Sequence, residues 1–221
     1  MYPRVDYEQL FENYMREAPS ALMKKAYSYC REKHDNCPTP KRMEGIPYWT
    51  HPFEVRELAI KLSWESKVEM DQDEQIAAVL HDIDEDTDGT IDEIERLFGP
   101  QVAFYVKHLS NSQVCEGYNE MDRVERKTLY LKHVGQGGRK TVYLKTIDRY
   151  HNLSSLFLML HTKPKKFRRF AFKQATETLD LVVPLAYQHS LPLSAGLLIG
   201  LSQNVLRIVD YIEAQREAQN A

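Results

Sequence analysis

Apolar residues recur along the chain at the spacing of one helix face, and no segment alternates apolar and polar positions as a half-buried strand does. The clearest stripe is Ile76, Val79, Leu80 and Ile83, at i, i+3, i+4 and i+7. The same periodicity, with its breaks, predicts helices over residues 7–32 (broken near 19–20), 52–63, 73–86, 90–98, 101–109, 122–133, 140–160, 165–185 and 194–217. The pattern therefore predicts an all-α protein.

The predicted helix ends carry residues whose chemistry suits them. Ser20, Asp73 and Thr90 each stand just before an apolar helical pattern, so we expect them to cap helix N-termini. Residues 36–52 contain four prolines and a glycine and are predicted to form a loop, after which Pro52 opens a helix. No repeat, linker or shift in composition divides the chain, so we expect one domain over residues 1–221.

Composition indicates a soluble globular protein. Hydrophobic residues make up 43% and charged residues 28%, and a formal net charge of −3 gives no reason to expect a DNA partner. The longest apolar run, 191–201, is too short to span a membrane, and the N-terminus lacks a signal-peptide pattern. The three cysteines form no CxxC pair. We therefore expect a cytoplasmic protein with reduced cysteines and no membrane segment.

The segment from His81 to Thr87 is the richest in ionisable side chains. On one helix, His81 and Asp82 would lie opposite the apolar stripe, with Glu85 and Asp86 one turn further on. Carboxylates near a helix C-terminus repel the negative end of the helix dipole, and a bound cation would resolve that conflict. A solvated acidic turn explains the same residues, so the segment alone leaves both interpretations open.

Two further segments place polar residues where they need an explanation. His51 stands at a predicted loop-to-helix junction beside Pro52, where a histidine caps or packs more often than it binds a metal. Asp148 lies within a largely apolar helix, with Lys145 and Asn152 on the same face. An aspartate in that position is unfavourable unless something pairs with it. Lys145 or Arg149 could be that partner, and a metal ion is the alternative.

Together the three segments supply two imidazoles and two carboxylates, from His51, His81, Asp82 and Asp148. Mixed nitrogen and oxygen donors of this kind suit Mn²⁺, Fe²⁺, Co²⁺ or Zn²⁺, and are too rich in nitrogen for Mg²⁺ or Ca²⁺. Glu85 and Asp86 would then stand where they can act on a water activated by the cation. The sequence thus predicts a metal-dependent hydrolytic site.

The same residues resemble the H…HD…D pattern of the HD-domain phosphohydrolases. A closer similarity is to the (p)ppGpp-hydrolase domain of RelA/SpoT enzymes and to the small alarmone hydrolases. The matching elements are Gly45–Pro52 (G-x-PY-x-x-HP), Ala77–Thr87 (AA-x-LHD-x-x-EDT), Leu97–Gly99 (FG), Leu144–Leu153 (x-K-x-x-D-R-x-x-N-L) and, more weakly, Thr178–Asp180 with Pro184–Ala186. The resemblance covers roughly residues 20–190 and implies an HD-domain helical bundle with extra terminal helices.

The resemblance also implies roles for individual residues. The implied metal ligands are His51, His81, Asp82 and Asp148. The metal in this family is usually one Mn²⁺ ion. Glu85 and Asp86 would position or activate the attacking water.

The implied substrate contacts are less specific. Asn152 and basic residues just before the Gly45 element, here Lys41 and Arg42, would hold the nucleotide. Lys145 and Arg149 are candidates to neutralise its phosphates, and they could equally pair with local carboxylates.

The chain departs from the family pattern in three places. Residues 110–113 stand where the family usually has a threonine and a nearby lysine, and Val182 stands where many members have a tyrosine. Residues 37–40 resemble an insertion. The implied function is release of pyrophosphate from the 3′ position of ppGpp. The alternatives are another nucleotide, such as ppApp or NADPH, or pyrophosphorylated tRNA, with the protein acting as antitoxin to a toxic pyrophosphokinase.

A second basic cluster has no role in this scheme. Its members are Lys163, Lys165, Lys166, Arg168 and Arg169. It is either a solvated helix start or an anion-binding rim for distal phosphates or an RNA end. The expected partners are a phosphorylated nucleotide and, in the alternative, a toxin or a tRNA, while the oligomeric state stays open.

Overall fold

The computed structural model describes residues 5–37, 45–115 and 117–220. Within these residues every regular element is helical, which confirms the all-α prediction. The α-helices are α1 (Tyr7–Glu17), α2 (Ala21–Asp35), α3 (Thr50–Ser66), α4 (Gln72–Leu80), α5 (Ile83–Asp86), α6 (Ile91–Phe98), α7 (Pro100–Leu109), α8 (Arg123–Gln136), α9 (Gly138–Thr162), α10 (Pro164–Glu177), α11 (Val183–Gln188) and α12 (Pro192–Asn220). Short 3₁₀ turns span Asn111–Gln113 and Tyr118–Glu120, and a π-helical turn spans Thr178–Val182.

The helices fall into two compact units. Unit 1 consists of Met1–Ile60 and Met70–Cys115, and unit 2 of Lys61–Glu69 and Glu116–Ala221. The division falls within α3. The expectation of a single domain stays a prediction.

In unit 1, α4 packs against α2 and α7. The predicted apolar stripe is fully buried, and Ala77 and Ala78 between its members are buried as well, so the second half of α4 is enclosed on all sides. Two predicted caps are confirmed: Ser20 Oγ accepts from the Met23 amide at 3.1 Å, and Thr90 Oγ1 accepts from the Glu93 amide at 3.2 Å. Each cap satisfies a donor that the helix itself leaves unpaired.

Both predicted ends of the helix at 73–86 are wrong. The N-cap is Asp71, not Asp73, because Asp71 and Glu74 form a reciprocal capping box. Asp73 has no acidic residue three positions on that could complete such a box. At the other end α4 stops at Leu80, and regular helix resumes only at Ile83, where α5 forms a separate turn.

An aromatic cluster anchors the start of α3 in unit 1. The Phe53 ring lies 4.4 Å from Tyr27, 5.0 Å from Tyr14 and 5.1 Å from Trp49, measured between ring centroids. Trp49 and Phe53 are buried and flank His51 in the chain. Offset and edge-on ring pairs of this kind add to the stabilisation from burial. The backbone that carries His51 is therefore held on both sides by the core.

In unit 2, α9 packs against α8, α10 and α12. Gly138, at φ +82°, opens α9 one residue after α8 ends, so the break between the helices predicted at 122–133 and 140–160 is shorter than expected. The predicted helix at 165–185 is divided by the π-helical turn and by Pro184, which has no amide hydrogen to donate within the helix. Among the described residues, Cys30, Cys37 and Cys115 form no disulfide with one another.

Helix α12 departs from the expectation that no segment could span a membrane. Among the described residues, the stretch Pro192–Ala218 is long and apolar enough to do so by length and composition. One helix of this kind is weak evidence, because a core helix of a soluble protein passes the same test. Leu198, Val205 and Val209 are buried, and α12 packs against α9, α10 and α11.

Gly89 lies against the acidic turn α5, and its substitution by alanine is expected to destabilise the protein. A Cβ at this position would overlap the Cγ2 atom of Ile83, which is fully buried and cannot move aside. We expect Gly89→Ala to lower the free energy of unfolding by roughly 1–3 kcal/mol, as overpacking does. Urea-induced unfolding followed by circular dichroism measures this change.

The matched control is Gly200→Ala, at an exposed position of α12 where a new Cβ meets nothing within 4 Å. The control is expected to stabilise the protein by about 0.5–1 kcal/mol, since glycine is a poor helix former. Equal unfolding midpoints for Gly89→Ala and the wild type would contradict the tight packing beneath α5.

Candidate active site

His51 is placed by the turn that starts α3. The backbone bends at Pro47–Trp49, where the Thr50 hydroxyl donates to the Pro47 carbonyl at 2.9 Å and the His51 amide donates to the Tyr48 carbonyl at 3.0 Å. The helix begins at Thr50, two residues before the predicted start at Pro52. Pro52 is tolerated because amides in a first helical turn have no partner within the helix. The His51 side chain is 2% exposed.

His81 is placed by the end of α4. Its Nδ1 atom lies 2.8 Å from the carbonyl oxygen of Ala78. Because a carbonyl oxygen can only accept, Nδ1 donates this hydrogen bond, and Nε2 is the ring atom left to ligate a metal. A hydrogen bond of this kind fixes the tautomer and the orientation of a ligating imidazole.

Asp82 lies between the two histidines. Its Oδ2 atom is 3.5 Å from His51 Nε2, and its Oδ1 atom is 3.1 Å from His81 Nε2. Asp82 occupies the N-cap position of α5, yet its side chain makes no capping hydrogen bond. Aspartate at an N-cap normally accepts from the helix backbone. Here the carboxylate is directed toward the imidazoles.

Tyr48 contacts Asp82 and His34 contacts Tyr48, although neither was among the predicted site residues. The Tyr48 hydroxyl donates to Asp82 Oδ2 at 2.6 Å. Burial raises the pKa of Tyr48, and Asp82 and Asp86 raise it further, so the phenol stays protonated and remains a donor. The His34 ring lies 4.5 Å from that of Tyr48, and burial lowers the pKa of His34 to about 4. His34 is therefore a neutral packing partner at neutral pH.

The carboxylates of Glu85 and Asp86 follow on the single turn of α5, where both side chains are half-buried. Glu85 Oε1 accepts from the Asn111 amide at 2.5 Å. The Asp86 amide donates to the Asp82 carbonyl at 2.9 Å, and its own carbonyl accepts from Cys37 Sγ at 2.9 Å. Unit 1 therefore brings Glu85 and Asp86 within one turn of Asp82.

Asp148 belongs to unit 2, where it is buried in the middle of α9. Its Oδ2 atom pairs with Lys145 Nζ at 2.9 Å, and its Oδ1 atom accepts from Asn152 Nδ2 at 2.6 Å. The sequence left open whether Asp148 pairs with a cation of its own helix or binds a metal ion. The pairing is confirmed for Lys145. The place of Asp148 in the metal-ligand set stays a prediction.

Arg149 lies among the described residues and makes a defined contact. The two basic residues before Gly45 do not lie among them. The Arg149 guanidinium donates to the side-chain carbonyl of Gln174 within unit 2. Burial lowers the pKa of Arg149, and Asp148 partly offsets that effect. Lys41 and Arg42 lie outside the described residues, so their predicted contact with a nucleotide stays a prediction.

The second basic cluster is mostly solvated. Lys163, Lys165, Lys166 and Arg169 are exposed. Arg168 is half-buried and pairs with Glu213. This is the arrangement expected of a solvated helix start.

The donor chemistry in unit 1 fits a divalent transition-metal ion. Two buried imidazole nitrogens and both oxygens of one carboxylate converge, from His51, His81 and Asp82. Neutral imidazole with carboxylate suits Mn²⁺, Fe²⁺, Co²⁺ and Zn²⁺ better than Mg²⁺ or Ca²⁺. The hydrogen bonds from His81 Nδ1 to the Ala78 carbonyl and from the Tyr48 hydroxyl to Asp82 are the supports that metal ligands typically have.

The chain is similar in sequence to two curated enzymes. The guanosine-3′,5′-bis(diphosphate) 3′-pyrophosphohydrolase of Aquifex aeolicus is 32% identical over 183 residues, which are 83% of this chain and 23% of that protein. The bifunctional (p)ppGpp synthase/hydrolase SpoT of Escherichia coli K12 is 28% identical over 188 residues, which are 85% of this chain and 24% of that protein. The chain thus spans less than a quarter of the length of these curated relatives.

A solved structure and a family model agree with these relatives. The structure is that of a metazoan ortholog of SpoT, which is described as hydrolysing ppGpp and playing a role in starvation responses. It matches with a TM-score of 0.57 and 26% identity over 90% of this chain and 97% of that chain. The family model of the HD domain matches residues 26–190, which include every predicted metal ligand and both predicted catalytic carboxylates. The chain belongs to the HD domain family.

Proposed function

We propose that this protein is a metal-dependent phosphohydrolase that releases pyrophosphate from the 3′ position of ppGpp and leaves GDP. The observation that carries the proposal is the Asp82 carboxylate between the His51 and His81 imidazoles, followed within one turn by Glu85 and Asp86. The names of the relatives in the family support the substrate.

The metal would be held by His51, His81 and Asp82, and we retain Asp148 as the fourth ligand on the basis of the family pattern. Mn²⁺ is the ion we propose, since the donor set suits it and the resembling enzymes usually use it. A divalent cation at such a site supplies Lewis acidity toward a water molecule and a phosphoryl oxygen.

The chain's own carboxylates handle the proton in this scheme. The water oxygen attacks the phosphorus attached to the ribose 3′ oxygen, and the bond between that phosphorus and the 3′ oxygen breaks. Glu85 or Asp86 accepts the proton lost by the water and returns it to the 3′ oxygen, which leaves as the hydroxyl of GDP. The products are GDP and pyrophosphate, so that atoms and charge balance.

Several basic and amide side chains are proposed to hold the substrate. They are Lys41, Arg42, Lys145, Arg149 and Asn152. Lys145 and Asn152 both contact Asp148. A substrate phosphate near Asp148 would therefore meet one cation and one amide donor. We propose a cytoplasmic location, in keeping with the composition.

A substrate panel tests the proposal. Purified protein with Mn²⁺ is incubated with ppGpp, ppApp, NADPH, 2′-deoxynucleoside monophosphates and 3′-pyrophosphorylated tRNA, singly and in competition, and products are separated by chromatography. We expect ppGpp to be turned over fastest. Rapid turnover of a monophosphate with ppGpp left intact would overturn ppGpp as the proposed substrate. It would not affect the membership of the HD domain family. Preference for pyrophosphorylated tRNA would support the antitoxin alternative.

A further inference from the structure

The turn after α7 donates hydrogen bonds to two neighbouring carboxylates of α5. Asp84 Oδ2 accepts from Ser110 Oγ at 2.6 Å and from Ser112 Oγ, and Gln113 Nε2 lies 3.2 and 3.1 Å from the two oxygens of Asp84. The Asn111 amide donates to Glu85 Oε1 at 2.5 Å. We call the four residues Ser110–Gln113 the donor turn.

The donor turn is anchored in the core, whereas α5 is too short to be stable without contacts to other segments. Ser110 is fully buried and directly follows Leu109, the last residue of α7, which packs against α4. Helix α5 is a single turn of four residues. A helix that short is unstable by itself, because nucleation fixes several residues for one hydrogen bond. Its orientation must therefore come from contacts outside it.

Asp84 makes several side-chain contacts of that kind. Ser110, Ser112 and Gln113 all donate to it, so three side chains of the donor turn converge on one carboxylate. Ile83, on the other side, is fully buried in the core. These two neighbouring residues hold α5 in the core and on the donor turn. Glu85, the next residue, is thereby brought to the Asn111 amide.

We propose that Asp84 is a positioning residue: by binding the donor turn it sets the orientation of the Glu85 carboxylate. The inference rests on the proposed function, in which Glu85 acts on the attacking water. The Asn111 amide occupies Glu85 Oε1 and so restricts the rotation of the carboxylate. A misplacement of about 1 Å at a reacting group can lower the rate by about 10²-fold.

The test compares Asp84→Ala with Asp84→Asn, and with Asp88→Ala as the matched control. Asp88 is an exposed acid of the same segment that pairs with Lys33. We expect Asp84→Ala to lower kcat for ppGpp about 10–10²-fold, with KM and manganese content close to wild type. Asp84→Asn keeps one carbonyl acceptor and is expected to recover part of the rate, while Asp88→Ala leaves kcat unchanged.

A second readout does not depend on the substrate. Hydrogen exchange of the Asn111 amide, measured by NMR, should be slow in the wild type and in Asp88→Ala, and faster in Asp84→Ala. If Asp84→Ala does not fold, Ser112→Ala with Gln113→Ala removes two of the donors and leaves Asp84 in place. That double variant should show the same fast exchange and a smaller loss of kcat.

The outcomes separate this inference from the proposed function. Unchanged kcat together with a protected Asn111 amide in Asp84→Ala would overturn the positioning role, and so would loss of manganese from that variant. A wild-type protein that leaves ppGpp intact would overturn the proposed function. The exchange measurements would still decide whether Asp84 holds Glu85 on the donor turn.

Discussion

Replacing Asp82 with alanine is expected to abolish both manganese binding and ppGpp hydrolysis while leaving helix content nearly unchanged. The Asp82 carboxylate contacts both His51 and His81, so its loss removes an anionic ligand from between the two imidazoles. We expect activity to fall by at least about 10³-fold, beyond the 10–100-fold that is typical for loss of an outer-shell partner. Metal content by mass spectrometry, turnover by chromatography and circular dichroism measure the three quantities.

The control for this substitution is Asp88→Ala, which removes an exposed carboxylate from the same segment. It should bind manganese and hydrolyse ppGpp as the wild type does. An Asp82→Ala variant that retains stoichiometric manganese would move the metal away from this histidine pair. A loss of helix content in Asp82→Ala would instead indicate a structural role for the carboxylate.

Neutralising the carboxylates of α5 is expected to lower turnover without releasing the metal. Glu85→Gln and Asp86→Asn keep the shape of each side chain but remove the base that would accept a proton from water. General-base catalysis is worth about 10²–10⁴-fold, so we expect kcat to fall by that factor in the variant that loses the base. Steady-state kinetics and manganese content together check this.

The two variants also divide the roles between the two residues. Glu85 Oε1 accepts a hydrogen bond from the Asn111 amide. Asp86 is held through its backbone, whose amide donates to the Asp82 carbonyl and whose carbonyl accepts from Cys37 Sγ. A large effect in one variant and a small one in the other would assign the base. Full turnover in both would place proton transfer outside α5.

Much of the fold follows from local sequence patterns. The helix before His81 was predictable because Ile76, Val79 and Leu80 repeat at helical spacing and are all buried. The cap at Ser20 was predictable because its hydroxyl needs only the amide three residues on. The stop of α4 at Leu80 was not predictable, because residues 81–86 are themselves compatible with a helix. The Asp82 side chain contacts Tyr48, far away in the sequence, instead of capping α5.

The residue types that form the site could be predicted from the sequence. The contacts between their side chains could not. His51, His81 and Asp82 stood out as residue types that ligate metals, and the structure brings these three together in unit 1. Tyr48 was notable only as part of the Gly45–Pro52 element, with no contact predicted for it, and His34 gave no signal. Their role depends on contacts between segments distant in sequence, which periodicity does not report.

The donor turn shows the same limitation of sequence patterns. Residues 110–113 were notable only as a departure from the family pattern. The structure gives them a 3₁₀ turn whose hydroxyl, amide and backbone donors converge on Asp84 and Glu85. Polar residues in a loop resemble solvated residues until the segment opposite them is known.

The position of bond cleavage in ppGpp tests the central claim most directly. Wild-type protein, Mn²⁺ and ppGpp are incubated, and the products are followed by ion-exchange chromatography and phosphorus NMR. The account predicts GDP and pyrophosphate in equal amounts, formed only with the divalent metal and stopped by a chelator. Orthophosphate as the first product, or ppGpp that persists with metal bound, would contradict it.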